Sequence, residues 1–369
     1  MLNNHSSEHM RSERLRSVRF LFAVIIAVFL LAAACMILFF IRRDTPGKAV
    51  RSTLNQISSM EDPAISQIVL PESGSGISEK AIAGLHRFFD RFSYKILSVT
   101  QDGDSAVAQV TVTTPDAYSL ASDIRLSLLQ DSDSGTDASE EQIYSLLEHL
   151  LSENEYPSAE TTGTIELIRQ KEGWTVVQSD DLSSLLLGSL PQALADPWLL
   201  SPQQVLTVYL DRVDSMSADE WAQFFSVHDL FATYSTNAAK IDSEFLTRAA
   251  DSYSYSAGEA DIAGNQATVS VVITAVDTSA ILMRYREKLS QYADTLDAIR
   301  ADTTAVSEKS AQLLLESICE NESTTDLSVT VPMENNGNGW VITDTSSLTD
   351  ALFGGMSEAA GQFSSSPDE

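Results

Sequence analysis

Cysteine, histidine and basic side chains are all scarce in this sequence, and each shortage removes a class of function. The 369 residues include two cysteines, five histidines and 23 lysines and arginines, against 52 aspartates and glutamates. Cys35 lies inside an apolar run and Cys319 far along the chain, so the pair cannot staple a domain core. His5, His9, His86, His149 and His228 do not gather with cysteines into a zinc-ligand pattern, and no metal is expected. His86 stands beside Leu85 and Phe88 and reads as a helix-surface residue rather than a base. The acidic excess repels nucleic acid, whose binding needs phosphates neutralised by Lys and Arg, and it disfavours docking of the domains on anionic lipid. Also missing are a Gly-x-Ser-x-Gly elbow, a phosphate loop and a dinucleotide fingerprint, so no catalytic residue and no cofactor is expected. The run from Asp131 to Asp137 looks like half of a calcium loop, but it lacks the glycine at the sixth position and has Gln142 where the twelfth should be Glu.

Apolar residues are plentiful. They make up 43% of the chain, enough to bury real cores. One stretch of 22 residues, beginning at Phe20 and ending at Ile41, carries no charge. At about 1.5 Å per residue it would span roughly 33 Å, matching a hydrocarbon core of ~30 Å. Arg19 flanks one end, and Arg42 with Arg43 the other. Residues 20–41 are therefore expected to form a transmembrane helix that holds the chain in the lipid bilayer. The alternative is a lipoprotein anchored at Cys35, since Ala32-Ala33-Ala34-Cys35 has the look of a cleavage site. Ala32 stands where such sites favour a larger aliphatic, and the apolar run continues through Met36 to Ile41, so length favours an uncleaved anchor. Four basic residues lie close to each end, and the positive-inside rule ties. The brevity of residues 1–19 and the long acidic chain behind the helix point to a cytoplasmic N-terminal tail and extracytoplasmic domains.

Most of the remainder is written twice. Residues 92–120 align without a gap on residues 253–281 at an offset of 161: Phe92-Ser93-Tyr94 meet Tyr253-Ser254-Tyr255, Gly103 meets Gly264, and Asp116 meets Asp277. Pro46, Leu54 and Ile57 meet Pro202, Leu210 and Val213 at 156, while Gly173-Trp174, Leu186 and Gly188 meet Gly339-Trp340, Leu352 and Gly354 at 166. Offsets that grow in chain order imply one fold with loops of different length.

Each copy opens with helical spacing: Val50, Leu54, Ile57 and Val205, Tyr209, Val213; then Ile82, Leu85, Phe89 and Phe245, Ala249. Two strands follow. Ala106, Ala108, Val110 and Val112 alternate with polar residues, as do Ala267, Val269, Val271 and Ile273, the pattern of a half-buried strand. Gly103 and Gly264 supply the tight turns before them. Asp116 and Asp277 precede a helical insertion as natural N-caps, and are the repeat-matched acids to examine as general bases. In the second copy the insertion shows one stripe, Leu282, Tyr285, Leu289, Tyr292, Leu296 and Ile299, then a second helix near Val306 to Ile318. Two closing strands hold Ile165, Leu167, Trp174, Val176 and Val329, Val331, Trp340, Ile342.

Helices followed by a wrapping antiparallel sheet make an α+β fold. The pattern resembles the nuclear-transport-factor-like (cystatin-like) superfold, and more narrowly a bacterial domain family of unknown function found in surface lipoproteins and membrane-anchored proteins. Tyr94, the strand from Ala106 to Val112, Asp116, Gly173-Trp174 and their second copies carry the resemblance. It implies a curved sheet closed over helices, with domains at 45–190 and 201–356. Pro191, Pro197 and Pro202 restrict the link near Leu190 to Ser201, and the tail at 357–369, polar and rich in small residues, reads as disordered. Tyr94, Trp174, Tyr255 and Trp340 are the candidate ligand-binding residues. The resemblance is silent on function, because this superfold hosts enzymes and binding modules alike. The expectation is a non-catalytic, membrane-anchored scaffold that binds a cell-envelope protein or polymer. The alternatives are a carrier or sensor of a small apolar ligand and, behind it, an isomerase- or hydratase-like enzyme.

Overall fold

A computed structural model describes residues 45–59, 79–131, 138–177, 179–227, 230 and 237–365. The expected membrane segment, residues 20–41, the alternative anchor at Cys35 and His228 lie outside the described residues. Among the described residues no helix is long and apolar enough to cross a membrane. The chain divides into two compact units, one ending at Leu199 and the other starting at Leu200.

The first unit runs α1 (Pro46–Ser58), α2 (Glu79–Phe89), β1 (Ser93–Asp102), β2 (Ser105–Pro115), α3 (Ala117–Asp131), α4 (Glu140–Glu153), β3 (Ser158–Gln170), β4 (Gly173–Val176), α5 (Asp180–Leu186) and α6 (Leu190–Ala195). The second runs α7 (Pro202–Ser215), α8 (Ala218–Phe224), α9 (Ala238–Ser252), β5 (Ser254–Ala263), β6 (Gln266–Val276), α10 (Thr278–Ala293), α11 (Leu296–Arg300), α12 (Thr303–Cys319), β7 (Thr324–Asn335), β8 (Trp340–Ile342), α13 (Ser346–Leu352) and α14 (Met356–Ser364). Each unit thus holds one four-stranded antiparallel sheet in sequence order, β1-β2-β3-β4 and β5-β6-β7-β8. The architecture is mixed α+β.

The two sheets share their register. Tyr94 pairs with Val112 and Tyr255 with Ile273, each shifted by 161. In both units the edge strand carries one extra residue at the same place, a bulge between Ile96 and Ser98 in β1 and between Ala257 and Ala260 in β5. On the far side, Ser105 pairs with Ile168 and Gln266 with Glu334, so the offset has grown from 161 to 166. The five added residues fall within the helical insertion. Its two ends are tied alike: Asp116 N donates to Pro157 O at 2.8 Å, and Asp277 N to Ser323 O at 3.0 Å.

The core lies between the helices and the inner face of each sheet. In the first unit Val50, Leu54, Phe88, Val110, Val112 and Ile124 have no exposed surface. In the second, Leu206, Leu210, Ile241, Val269, Ile273 and Leu352 do the same. Every aliphatic side chain so buried contributes about 1.5–3 kcal/mol. Prolines start α1 and α7, where the missing N–H has no helical partner to lose.

Three expectations are corrected. The single stripe from Leu282 to Ile299 is broken at Asp294, where α10 ends; Leu296 and Ile299 sit on the separate helix α11 and are 66% and 75% exposed. Periodicity registers spacing and is blind to a cap: Thr295 accepts from Ala298 N and restarts the chain. The expected disordered tail is helix α14 through Ser364, described to residue 365. Its Phe363 ring stacks on Tyr285 at 5.7 Å, and Arg286 donates to the carbonyl oxygens of Gln362 and Phe363. The first half of the expected link from Leu190 to Ser201 is helix α6, Leu190–Ala195, with Leu190, Pro191 and Ala193 buried. α6 and α14 are copies of each other. Both follow a left-handed cap, Gly188-Ser189 and Gly354-Gly355, closed by Ser189 N to Ser184 O at 2.8 Å and Gly355 N to Asp350 O at 2.9 Å.

Candidate functional site

Each candidate residue has a place in the packing of its own unit. The Tyr94 hydroxyl donates to Asn55 Oδ1 at 2.6 Å and lies 3.4 Å from Arg51 O. Tyr255 repeats the arrangement with Asp211 Oδ1, and lies 3.5 Å from Thr207 O. Asn55 and Asp211, like Arg51 and Thr207, differ by 156, the offset of the first helices. The tyrosine therefore ties the start of the sheet to the first helix in both copies. Burial and Asp211 hold the Tyr255 phenol well above its ordinary value, because its anion would form beside a carboxylate. Tyr253, stacked on Tyr255 at 6.1 Å, is raised further by burial, by Tyr255 and by Asp214.

Trp174, second in β4, and Trp340, first in β8, are only 8% and 5% exposed, so their rings face the core. Asp116 accepts from the N–H and hydroxyl of Ser119, and Asp277 from Ala280 N at 2.8 Å. Both carboxylates hold helix starts.

Aromatic rings crowd the interior of the second unit. Trp221, Phe225 and Phe353 meet edge to face, with ring centroids 5.6–6.0 Å apart, and Phe353 also stacks on Phe245 at 6.3 Å. Trp221 is 1% exposed and its indole N–H donates to Val213 O at 2.9 Å. No periodicity announced this tryptophan; the capping box of Ser217 with Glu220, one residue ahead of it, was the available signal.

What the packing leaves bare is the outer face of each sheet. β2 turns Ser105, Val107 and Gln109 to solvent, and β6 turns Gln266, Thr268, Ser270 and Val272. Neighbouring strands meet through short polar contacts: Thr111 with Thr162 at 2.8 Å, and Thr274 donating to Asp326 at 2.7 Å. A shallow cleft of about 480 Å³ opens on this side of the second unit, lined by Asp261, Gln266, Thr268, Pro332, Glu334 and Thr343 among others. No cluster of three His, Cys, Asp or Glu able to hold a metal occurs among the described residues. Cys319 is exposed, but partial burial and Glu244 hold its thiol above the usual value, which makes it a poor nucleophile at neutral pH.

No protein-family model matches the chain, and no curated protein matches it. Among solved structures, a Bacillus subtilis candidate lipoprotein, ycdA, is similar over 71% of this chain and 95% of its own, with 15% identity and a TM-score of 0.26.

Proposed function

We propose that this chain is a membrane-anchored, non-catalytic protein that holds two binding domains outside the membrane, and that its partner is a protein or polymer of the cell envelope. One observation carries the reading: the candidate side chains of each unit are taken up by packing and hydrogen bonds within that unit, while both copies leave the outer face of the sheet open to solvent. A solvent-open sheet face present in both copies, with the candidate aromatic residues used inside each unit, fits recognition from outside better than a reaction or a small ligand within. The two other readings need an open interior: an apolar one for a carrier, an acid-lined one for an isomerase or hydratase.

Crosslinking of the chain in its native membrane, followed by purification and identification of adducts, tests the proposal. Recovery of one envelope protein or polymer, lost when Thr111, Thr162 and Thr164 are all replaced by Lys, is the expected result. Recovery of lipid alone removes the reading. Co-purification of a defined small molecule, detected by native mass spectrometry, would favour the carrier. For the anchor, protease added to intact cells should degrade the domains, and full protection until lysis would reverse the orientation.

A further inference from the structure

The direction of the backbone in β3 and β7 can be followed residue by residue. Glu166 O accepts from Val177 N at 2.7 Å on the β4 side, whereas Arg169 N donates to Asp104 O at 2.8 Å on the β2 side. The N–H and C=O of a strand residue point to one side, and successive residues alternate. Glu160, Thr162 and Thr164 therefore turn both backbone groups away from β2. β4 covers β3 only from Leu167 to Gln170. Beyond it, no backbone partner takes these groups among the described residues.

The second copy is built alike. Pro332 O accepts from Thr343 N at 3.0 Å, and Asn335 N donates to Asn265 O at 2.8 Å. Asp326, Ser328 and Thr330 turn outward, and β8 covers only Met333 to Asn335. The outward residues correspond at the offset of 166. The opposite edges, β1 and β5, each carry a bulge, a device that spoils strand addition. β3 and β7 pair with their inner neighbours without a break over 11 residues and have no Lys on the open stretch.

We infer that the open edges of β3 and β7 each accept an extended, basic polypeptide segment as an added strand. This rests on the reading of the domains as binding modules and names where and what they bind. Backbone hydrogen bonds would hold the segment, and charge would select it. The open stretches carry Glu160 and Glu166 in β3 and Asp326 in β7, and neither 158–166 nor 324–332 holds a Lys or Arg. The same charge argues against a second copy of this chain, since joining two such edges would set Glu160 and Glu166 against like charges.

The test uses the full chain in detergent with two fluorescein-labelled eight-residue peptides, one alternating Lys and Val, the other Glu and Val. Anisotropy measures binding, and hydrogen exchange read by mass spectrometry locates it. The Lys/Val peptide should bind, the Glu/Val peptide should not, and protection should rise in 158–166 and 324–332. Thr164→Pro with Thr330→Pro, which removes one outward N–H per edge, should weaken binding by about tenfold or more. Ser98→Ala with Ser256→Ala, on the opposite edge strands β1 and β5, should leave it unchanged. Binding indifferent to the proline changes, protection gained elsewhere, or edges already protected in the free chain would each overturn the inference. If the proline variant is misfolded by circular dichroism, the location of protection in the unaltered chain decides alone. An envelope partner still crosslinked to the folded proline variant would overturn the edge assignment and leave the binding-module reading standing. Absence of any such partner from the unaltered chain would remove that reading even where the peptide is taken up at the edges.

Discussion

The first and second units hold the same positions with different chemistry. Where the first sheet is tied to its opening helix by a tyrosine and a neutral amide, Tyr94 and Asn55, the second uses a tyrosine and a carboxylate, Tyr255 and Asp211. Where the last cap of the first unit is Gly188-Ser189, that of the second is Gly354-Gly355, both residues left-handed in each case. The threonine beneath this cap has moved as well. Thr114, at the end of β2, lies under Gly188, whereas Thr278, at the start of α10, lies under Gly354 and donates to Phe353 O at 2.7 Å. The Thr114 hydroxyl is buried without such a bond. The difference teaches that the duplicated fold constrains where a tie or a cap must sit, and leaves open which side chain supplies it.

That comparison can be broken most severely at Trp221, which fills the second core. Trp221→Ala should cost about 3–5 kcal/mol, read as a loss of hydrogen-exchange protection in β5 and β6. Next come the equivalent glycines. A Cβ on Gly354 would strike the carbonyl oxygen of Val276, which is backbone and cannot step aside; on Gly188 it would strike the Thr114 hydroxyl, which can rotate. Gly354→Ala should therefore cost about 3 kcal/mol in denaturant unfolding and Gly188→Ala about 1–2 kcal/mol. Equal losses would mean that the two caps differ less than their contacts indicate. Ser189→Gly, which makes the first cap resemble the second, should stabilise the first unit by about 1 kcal/mol, seen as a raised denaturation midpoint. At the helix starts, Asp116→Ala and Asp277→Ala should each cost about 1 kcal/mol, while Asn at either position should be nearly neutral because Asn also caps.

The smallest effect is in pH. The folded value of Tyr255 lies above the unfolded one, near 10, so the folded state keeps its proton where the unfolded chain has lost it. That contribution is whole below pH 10 and is lost as pH rises above it. Alkaline titration of stability should flatten in Tyr255→Phe. In Asp211→Asn, which gives the second unit the amide of the first, the decline should be shallower; an unchanged slope would show that Tyr253 carries the effect.

Much of this fold could be read from the chain because its evidence is local. Alternation in Ala106 to Val112 and Ala267 to Ile273 marks strands buried on one side, and those residues do line the cores. Spacing in Val50, Leu54 and Ile57 marks a buried helix face, and all three are buried. The gapless match at 161 foreshadowed a shared register, down to the bulges that the alignment carries silently. The candidate site was less legible. Tyr94, Tyr255, Trp174 and Trp340 stand out as aromatic residues at matched positions, but whether such a ring lines a pocket or closes a core depends on what lies across from it. Asn55 and Asp211, the partners of the tyrosines, sit 39 and 44 residues away.

By itself, then, the amino-acid sequence determined that the chain bears an apolar run of membrane length, that two α+β units repeat one another, and that their strands alternate. Each of these is a pattern over neighbouring residues, and sterics and hydrophobicity act on neighbours directly. Only the tertiary structure decided that α6 and α14 fold back instead of trailing away, that Trp174 and Trp340 turn into the cores, and that β3 and β7 outrun β4 and β8 to leave an edge open. Those outcomes turn on contacts between residues far apart in the chain, such as Phe363 on Tyr285, where geometry in space and not spacing in sequence sets which groups meet.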